Sequence, residues 1–562
     1  MFKSITAVLH PRLSSAASAV VLAIAFASPA HAEWLRAETE HFIIYGDTNR
    51  SEITRYATKL ERFDSLLRTY FPIPVENMIP KLEIVLADGG GDMNRMSPGI
   101  GSSVAGFYTP DSGRIFAVVN TRSEMDDVVI FHEYAHHFMF QMTAPAYPSW
   151  FVEGFAEYFA QSDVRPDHLR VGGISSGRMR SLAVPANQWA PTADVLSWRI
   201  SASGRYRGFD YYAQSWALTH YMMADEGRKR KLGEYLNLVK NGASSIEAFQ
   251  TAFGRTPAQL QEDLRRYLLL GSVNVMTPQI ELRDTPVAVT EMPPSYGRLV
   301  WFDFRLDRNG YKPAEAPEDA TEDVRRRTER RNREAQEEQQ TLIREALAEA
   351  DLHPGDRMGL MVKSRAQRLA GHPSQAFDTL MPLLTATSTD PISLRLAGEI
   401  LRETAQTQTD QAAKLAMMRQ SSAYLARAMD ADPLDFRIYL ALDDNRQDSP
   451  GYPNANDLST LEVASALAPQ SSDARVRTAR AYLAHDQPAL AVIMLMPVVN
   501  NPHGGTDLKA TRALLAQARA AAGMAPTLTD APPPEDNGVE EGDGDQPAAA
   551  EYSDGAAFSS GH

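Results

Sequence analysis

Two histidines four residues apart, His132 and His136, stand inside an apolar stretch, and that spacing constrains the local fold more than any other feature of the chain. Residues i and i+4 share one face of an α-helix, so both imidazoles can reach a single ion. Glu133 lies about 100° further round the helix, close enough to address a water held at that ion. Val128-Val129-Ile130-Phe131 precede the pair and Phe138-Met139-Phe140 follow it, while Glu124, Asp126 and Asp127 stand where a first helical turn favours carboxylates. An apolar helix that carries three polar groups toward one point is costly unless something such as a metal satisfies them. The pattern predicts two zinc-ligating histidines with a glutamate as general base. The alternative is a pair of core histidines satisfied by hydrogen bonds.

A catalytic zinc takes three protein ligands and keeps one position open. Two histidines therefore require a third donor, and Glu153 in Ser149-Trp150-Phe151-Val152-Glu153-Gly154-Phe155-Ala156-Glu157-Tyr158-Phe159 is the natural candidate. It lies 17 residues past His136, enough for a helix end, a loop through Pro145 and Pro148, and entry into a second helix. Glu157 shares its face one turn on, placed to hydrogen-bond the free nitrogen of a ligating histidine. Both glutamates sit among Trp, Phe, Val and Tyr, and for Glu153 a solvated helix face, the usual fate of Glu, is the poorer reading.

These residues resemble the gluzincin metallopeptidases, the group that holds thermolysin and the aminopeptidase N family. The segment Trp150-Phe151-Val152-Glu153-Gly154-Phe155-Ala156-Glu157-Tyr158 is similar to the aminopeptidase form W-x-x-E-G-x-A-x-Y. Over residues 33 to 270 the resemblance implies His132, His136 and Glu153 as zinc ligands, Glu133 as base and Glu157 as outer-shell support. The chain lacks a Gly-x-Met-Glu-Asn-type exopeptidase segment, so an endopeptidase is the expected form. Tyr211-Tyr212-Ala213-Gln214-Ser215-Trp216 is similar to the aminopeptidase segment whose tyrosine steadies a tetrahedral intermediate. The resemblance carries that role to Tyr212, with Tyr211 as its rival and a packing tyrosine as the alternative. His137 and His220 receive no role.

The amino terminus reads as a secretory signal over 1–32. Lys3 and Arg12 supply positive charge, Ala16 to Ala27 a short apolar core, and Ala30-His31-Ala32 a small-x-small cleavage site. The core is too short to span a bilayer. The expected location is periplasmic or secreted, without stable membrane insertion after cleavage. The chain has no cysteine, which removes lipid attachment and disulfides alike. Net charge is −15, yet the stretch from Asp530 to His562 holds nine acids and no Lys or Arg, so the remainder is only mildly acidic. Nucleic acid is therefore not an expected partner. The basic run Arg325 to Arg333 is flanked by acids and reads as a charged connector.

The expected fold is an α+β zincin-like catalytic domain over 33–310, a charged linker or helix over 311–345, all-α helical repeats of tetratricopeptide (TPR) type over 346–525, and a disordered acidic tail over 526–562. Strands are predicted at His41 to Gly46 and Lys81 to Leu86, a helix from Ser51 to Tyr70, and a hairpin joining Gly106-Phe107-Tyr108 to Arg114 through Val119. An exposed hairpin edge would bind an extended substrate by backbone pairing. Ala87 to Gly101 reads as a glycine-rich loop, and Leu299 to Phe304 as the strand that finishes the domain. Ala376 to Leu384 is echoed by Ala491 to Val499, the mark of degenerate repeats. The functional expectation is an exported zinc peptidase with protein-binding repeats. The alternative is an envelope binding or assembly protein with a structural or residual metal site.

Overall fold

The computed structural model describes residues 34–71, 79–100, 104–110, 113–123, 126–143, 147–166, 168–183, 188–197, 208–269, 275–278, 282, 285–307, 313, 316, 321–500, 508–524 and 548–551. The expected secretory signal over 1–32 and most of the expected acidic tail lie outside them.

Among the described residues nine strands run β1 (Trp34–Glu38), β2 (Phe42–Asp47), β3 (Leu82–Ala87), β4 (Val104–Thr109), β5 (Phe116–Asn120), β6 (Asp163–Arg165), β7 (His168–Arg170), β8 (Ala288–Glu291) and β9 (Ala548–Glu551). Seven form one mixed sheet in the order β8-β1-β2-β3-β5-β4-β9, and β6 pairs with β7. β2, β3 and β5 are parallel, with Ile44 opposite Ile84 and Ile84 opposite Ala117. β1 and β4 close the two sides antiparallel.

Side chains alternate faces along each strand, and here both faces are apolar. Phe42, Ile44, Ile84, Leu86 and Val119 pack on one side against α1 (Arg50–Tyr70). Tyr45, Val85, Phe107, Phe116 and Val118 face the other side. A short helix, α2 (Gly90–Met96), supplies Met93 and Met96 there, where the sequence predicts only a loop. On the first face lie α3 (Asp126–Phe138) and then α4 (Ser149–Ala160), α5 (Ser176–Leu182), α6 (Thr192–Ser197), α7 (Gly208–Met223), α8 (Glu226–Lys240), α9 (Ser245–Phe253) and α10 (Pro257–Leu269).

The second face is covered by α11 (Tyr296–Leu306), which corrects the strand predicted at Leu299 to Phe304. Tyr296, Val300, Trp301 and Phe304 recur at helical spacing and pack on Trp34, Tyr45 and Phe116. A short apolar run satisfies strand and helix alike, and burial on one face decided for the helix. The strand that completes the sheet on this side is the largely exposed β8, paired with β1.

The charged connector is helical. It forms the first part of α12 (Glu322–Asp351), whose buried positions, Leu342, Ala346 and Ala350, fall only near its end. Antiparallel helices follow: α13 (Arg357–Leu369), α14 (Pro373–Leu380), α15 (Pro391–Gln406), α16 (Gln411–Ala431), α17 (Phe436–Asp444), α18 (Ala455–Leu467), α19 (Ser472–Ala484), α20 (Pro488–Asn500) and α21 (Leu508–Ala521). This is a helical-repeat region. In the two echoed segments Ala376 and Leu380 of α14, and Ala491 and Leu495 of α20, are all fully buried. Small residues make the crossings close: a Cβ on Gly398 of α15 would lie 2.6 Å from Leu425 of α16.

An ionic clamp joins the repeats to the sheet domain. Asp307, just past α11, lies 2.9 Å from Arg437, 3.3 Å from Arg365 and 3.4 Å from Arg395, which belong to α17, α13 and α15. Arg114, before β5, holds Asp303 at 2.8 Å and Glu83 at 2.6 Å. Burial alone would raise the Asp307 pKa, but the surrounding guanidiniums overcome it and hold the carboxyl far below the usual range. Its stabilisation is therefore complete above the unfolded aspartate pKa of about 3.9 and is lost as pH falls through the depressed folded value. Asp307→Asn leaves several buried cations short of a counter-charge. Denaturant titration at pH 7 should show a loss of about 3–5 kcal/mol, with a flatter acid limb than the parent protein.

Candidate metal centre

α3 buries Val129, Ile130, Phe131, Tyr134, Ala135 and Phe138 in the main core, which turns His132, Glu133, His136 and His137 into positions enclosed by protein. The helix passes into a π-helical turn, Met139–Thr143, before the chain re-enters α4. All twelve residues of α4 are buried, so Glu153 and Glu157 have no solvent to charge against.

Three things fix the two helices. Tyr134, in the middle of the histidine pair, donates its hydroxyl to Asp64 of α1 at 2.6 Å. Asp64 also accepts from Arg68 at 2.6 Å and stands beside His41 and Glu61. Trp150 donates its ring N–H to Tyr235 at 2.9 Å. Gly154 lets α4 lie almost in contact with α7, since a Cβ there would fall 2.4 Å from the Ser215 carbonyl oxygen and closer still to the Thr219 hydroxyl.

The result is a triangle of donor atoms. Nε2 of His132 and Nε2 of His136 are 3.0 Å apart. Glu153 Oε2 lies 3.7 Å from the first and 3.5 Å from the second. Ligand bonds of about 2.0–2.1 Å in tetrahedral geometry require donor separations of roughly 3.3 Å. The three atoms therefore fit one zinc-sized cation with little movement. Two imidazoles and one carboxylate are also the donor types that zinc takes in catalytic sites.

Glu157 reaches His132 Nδ1 at 3.5 Å and is held by Arg178 of α5 in a two-pronged pair of 3.0 and 2.6 Å. Arg178 has no signal in the sequence except as the cation that a glutamate buried among aromatics must find. Of the two tyrosines opening α7, Tyr211 is buried in the core. Tyr212 is half-buried, with the Arg178 guanidinium 5.1 Å from its ring centre. Burial first, then the charge of Glu153, push the Tyr212 phenol well above its ordinary pKa; Arg178 opposes them, and Glu157 and Glu133 add smaller upward pushes. It stays a proton donor at neutral pH. His137 points away to the Tyr108 hydroxyl at 3.0 Å, and burial lowers it to about 3. His220 is satisfied by Tyr267 and the Gly172 carbonyl, both at 2.9 Å.

His41, Glu61 and Asp64 form a second cluster with ligand-type atoms close together. Arg68 and Tyr134 already fill the Asp64 carboxylate, so this cluster acts as a buttress for α3 rather than as a second ion site.

A family described as "Protein of unknown function (DUF1570)" matches residues 128–243, the span from α3 to the end of α8. No curated protein matches the chain. Among solved structures, a thermophilic TPR protein of Thermus thermophilus is similar at 16% identity, covering 34% of this chain and 93% of that one with a TM-score of 0.27. The gluzincin membership expected from the sequence is corrected by these findings. The family that matches over α3 to α8 is one of unknown function. Nine residues of W-x-x-E-G-x-A-x-Y and five of the histidine motif record what a carboxylate and two imidazoles need locally, which unrelated chains can share. At the level of fold class, an α+β domain with a seven-stranded mixed sheet is followed by helical repeats.

Gly154→Ala tests the close approach of α4 and α7. Overpacking there should cost about 1–3 kcal/mol in a denaturant titration and weaken zinc retention on dialysis, because Glu153 is the next residue.

Proposed function

We propose that this protein is a zinc-dependent hydrolase acting on an amide bond, with the helical repeats as the surface that holds a protein substrate or partner. The donor triangle of His132, His136 and Glu153, with Glu133 beside it, carries this reading. A structural zinc is satisfied by four protein ligands and has no need of an adjacent buried carboxylate. When bound, zinc supplies Lewis acidity at the centre of that triangle.

The chain's own residues supply the rest. Glu133 is positioned on the helix to accept a proton from the attacking water and return it to the leaving nitrogen. Tyr212, kept protonated, donates toward the oxygen on which negative charge develops. Arg178 holds Glu157, and Glu157 steadies the His132 ring through Nδ1, so the imidazole keeps Nε2 directed at the ion. A peptide fits the expectation of an exported enzyme whose second half is built of protein-binding repeats. A cavity of about 650 Å3 lies between the sheet domain and the repeats, and His137 and Gln141 on the metal-helix side line it together with Arg437 and Leu467.

A second reading is a binding or assembly protein in which the repeats do the work and the metal is structural. The observation in its favour is the stack of repeat helices itself, on which Ile493 and Met381 are 57% and 52% exposed. One experiment separates the two. Glu133→Gln should keep stoichiometric zinc and lower cleavage of a peptide library or casein at least about a hundredfold. Zinc in the parent protein with no hydrolysis of any such substrate favours the second reading.

A further inference from the structure

The connector helix α12 begins as an arm with nothing packed tightly on it. Between Glu322 and Gln340 no residue is buried, and the first to be enclosed is Leu342, where α11 and α13 cover the helix. At 1.5 Å per residue the arm is about 28 Å long. A helix that is polar all round has no face to bury. Pairs along it, such as Arg326 with Glu322 at 3.2 Å and Arg330 with Glu334 at 3.9 Å, add little at an exposed surface. The arm contains the basic run Arg325 to Arg333, which the metal centre does not use.

One face of this helix is self-complementary. Val324, Arg327, Arg331, Glu334, Glu338 and Thr341 follow one another at intervals of 3, 4, 3, 4 and 3 residues, the rhythm that keeps side chains on one helix face. The four charged members are all exposed. Read from either end the face is the same with the signs reversed: two arginines, then two glutamates, with a neutral residue outside each pair. Arg331 and Glu334 stand one turn apart. Arg327 and Glu338 are separated by about 17 Å along the helix axis and cannot meet within one chain. A second α12 laid antiparallel brings Arg327 opposite its Glu338 and Arg331 opposite its Glu334, and the twofold axis doubles this to four pairs. Parallel helices would set arginine on arginine and glutamate on glutamate.

The fold leaves room for such a neighbour. Glu334, Glu338, Thr341 and Leu342 line an open groove of about 540 Å3, with Arg95 and Pro98, at and just past the end of α2, on its other side. Glu338 already meets Arg305 at 3.3 Å, and a carboxylate can accept from a second cation through its remaining lone pairs.

We propose that this face of α12 is a self-association surface, on which two copies of the chain pair antiparallel through Arg327, Arg331, Glu334 and Glu338. Exposed ion pairs are individually weak, so the apolar stems of the two arginines, laid along Pro98 and Leu342 of the other copy, supply part of the contact. The charges fix orientation more than strength, and salt screens them. A dimer presents two repeat stacks, which hold a partner with two binding segments more tightly than one stack does. This goes beyond the hydrolytic reading and does not depend on it, because no residue of the metal centre takes part.

Sedimentation velocity on the full-length protein tests it. At about 100 μM chain and about 0.05 M salt the parent should be largely dimeric, and about 1 M salt should weaken the association at least about tenfold. Arg327→Glu with Arg331→Glu makes the face wholly acidic, and Glu334→Arg with Glu338→Arg makes it wholly basic. Both exchanges keep good helix formers at exposed positions, so the fold is retained. Each variant alone should be monomeric, and an equimolar mixture of the two should recover the dimer. A parent that stays monomeric at low salt, a dimer indifferent to salt, reversed variants that still pair with themselves, or a mixture that does not associate overturns the proposal. Mass is read rather than turnover, so a protein that proves hydrolytically inert still gives an answer.

Discussion

Buried carboxylates and imidazoles on two apolar helices are the constraint around which the sheet domain is arranged. An uncompensated carboxylate moved out of water costs several kcal/mol, and α4 encloses two, Glu153 and Glu157, among aromatic side chains. The fold meets that cost in two ways. Arg178 neutralises Glu157 directly. Glu153 is turned instead toward His132 and His136, where a divalent cation would satisfy all three at once. Everything nearby serves that geometry: Tyr134 pins α3 to Asp64, and Gly154 brings α4 against α7.

The repeats are tied to this domain by charge. Arg114 comes from the sheet domain and Arg365, Arg395 and Arg437 from three alternate repeat helices, α13, α15 and α17, and they meet at Asp303, Asp307 and Asp435. Buried pairs of this sort add little net stability over an apolar contact, yet they penalise every other arrangement of their partners. The clamp thus specifies how the repeats stand relative to the sheet. Gln141, just beyond α3, adds a direct bond to the Leu467 carbonyl at 3.0 Å, and Ser149 at the start of α4 reaches the Asn500 carbonyl at 3.2 Å. Both ends of the connection between α3 and α4 therefore touch the repeat region.

Much of this was legible in the chain because it depends on local spacing. The four-residue interval of His132 and His136, the glutamates one turn apart in α4, the strands β2, β3 and β5, and the echo between α14 and α20 are all short-range patterns. What escaped reading depends on partners far away in sequence. Arg178, Asp64 and Asp307 look like ordinary surface charges until the fold encloses them. Leu299 to Phe304 is six apolar-rich residues whose choice between strand and helix was made by the second face of the sheet, which no local pattern reveals. The family resemblance failed for a related reason. Motifs that report metal-ligand chemistry carry little information about descent, and here they agree in geometry while the matching family is one of unknown function.

The central claim is that His132, His136 and Glu153 bind one divalent ion together. X-ray absorption at the zinc edge on the zinc-loaded full-length protein tests it most directly. The account predicts one zinc per chain, with two imidazole nitrogens and one carboxylate oxygen at about 2.0–2.1 Å and a fourth light atom. Substoichiometric zinc after dialysis, or a first shell with fewer than two imidazoles, would contradict it.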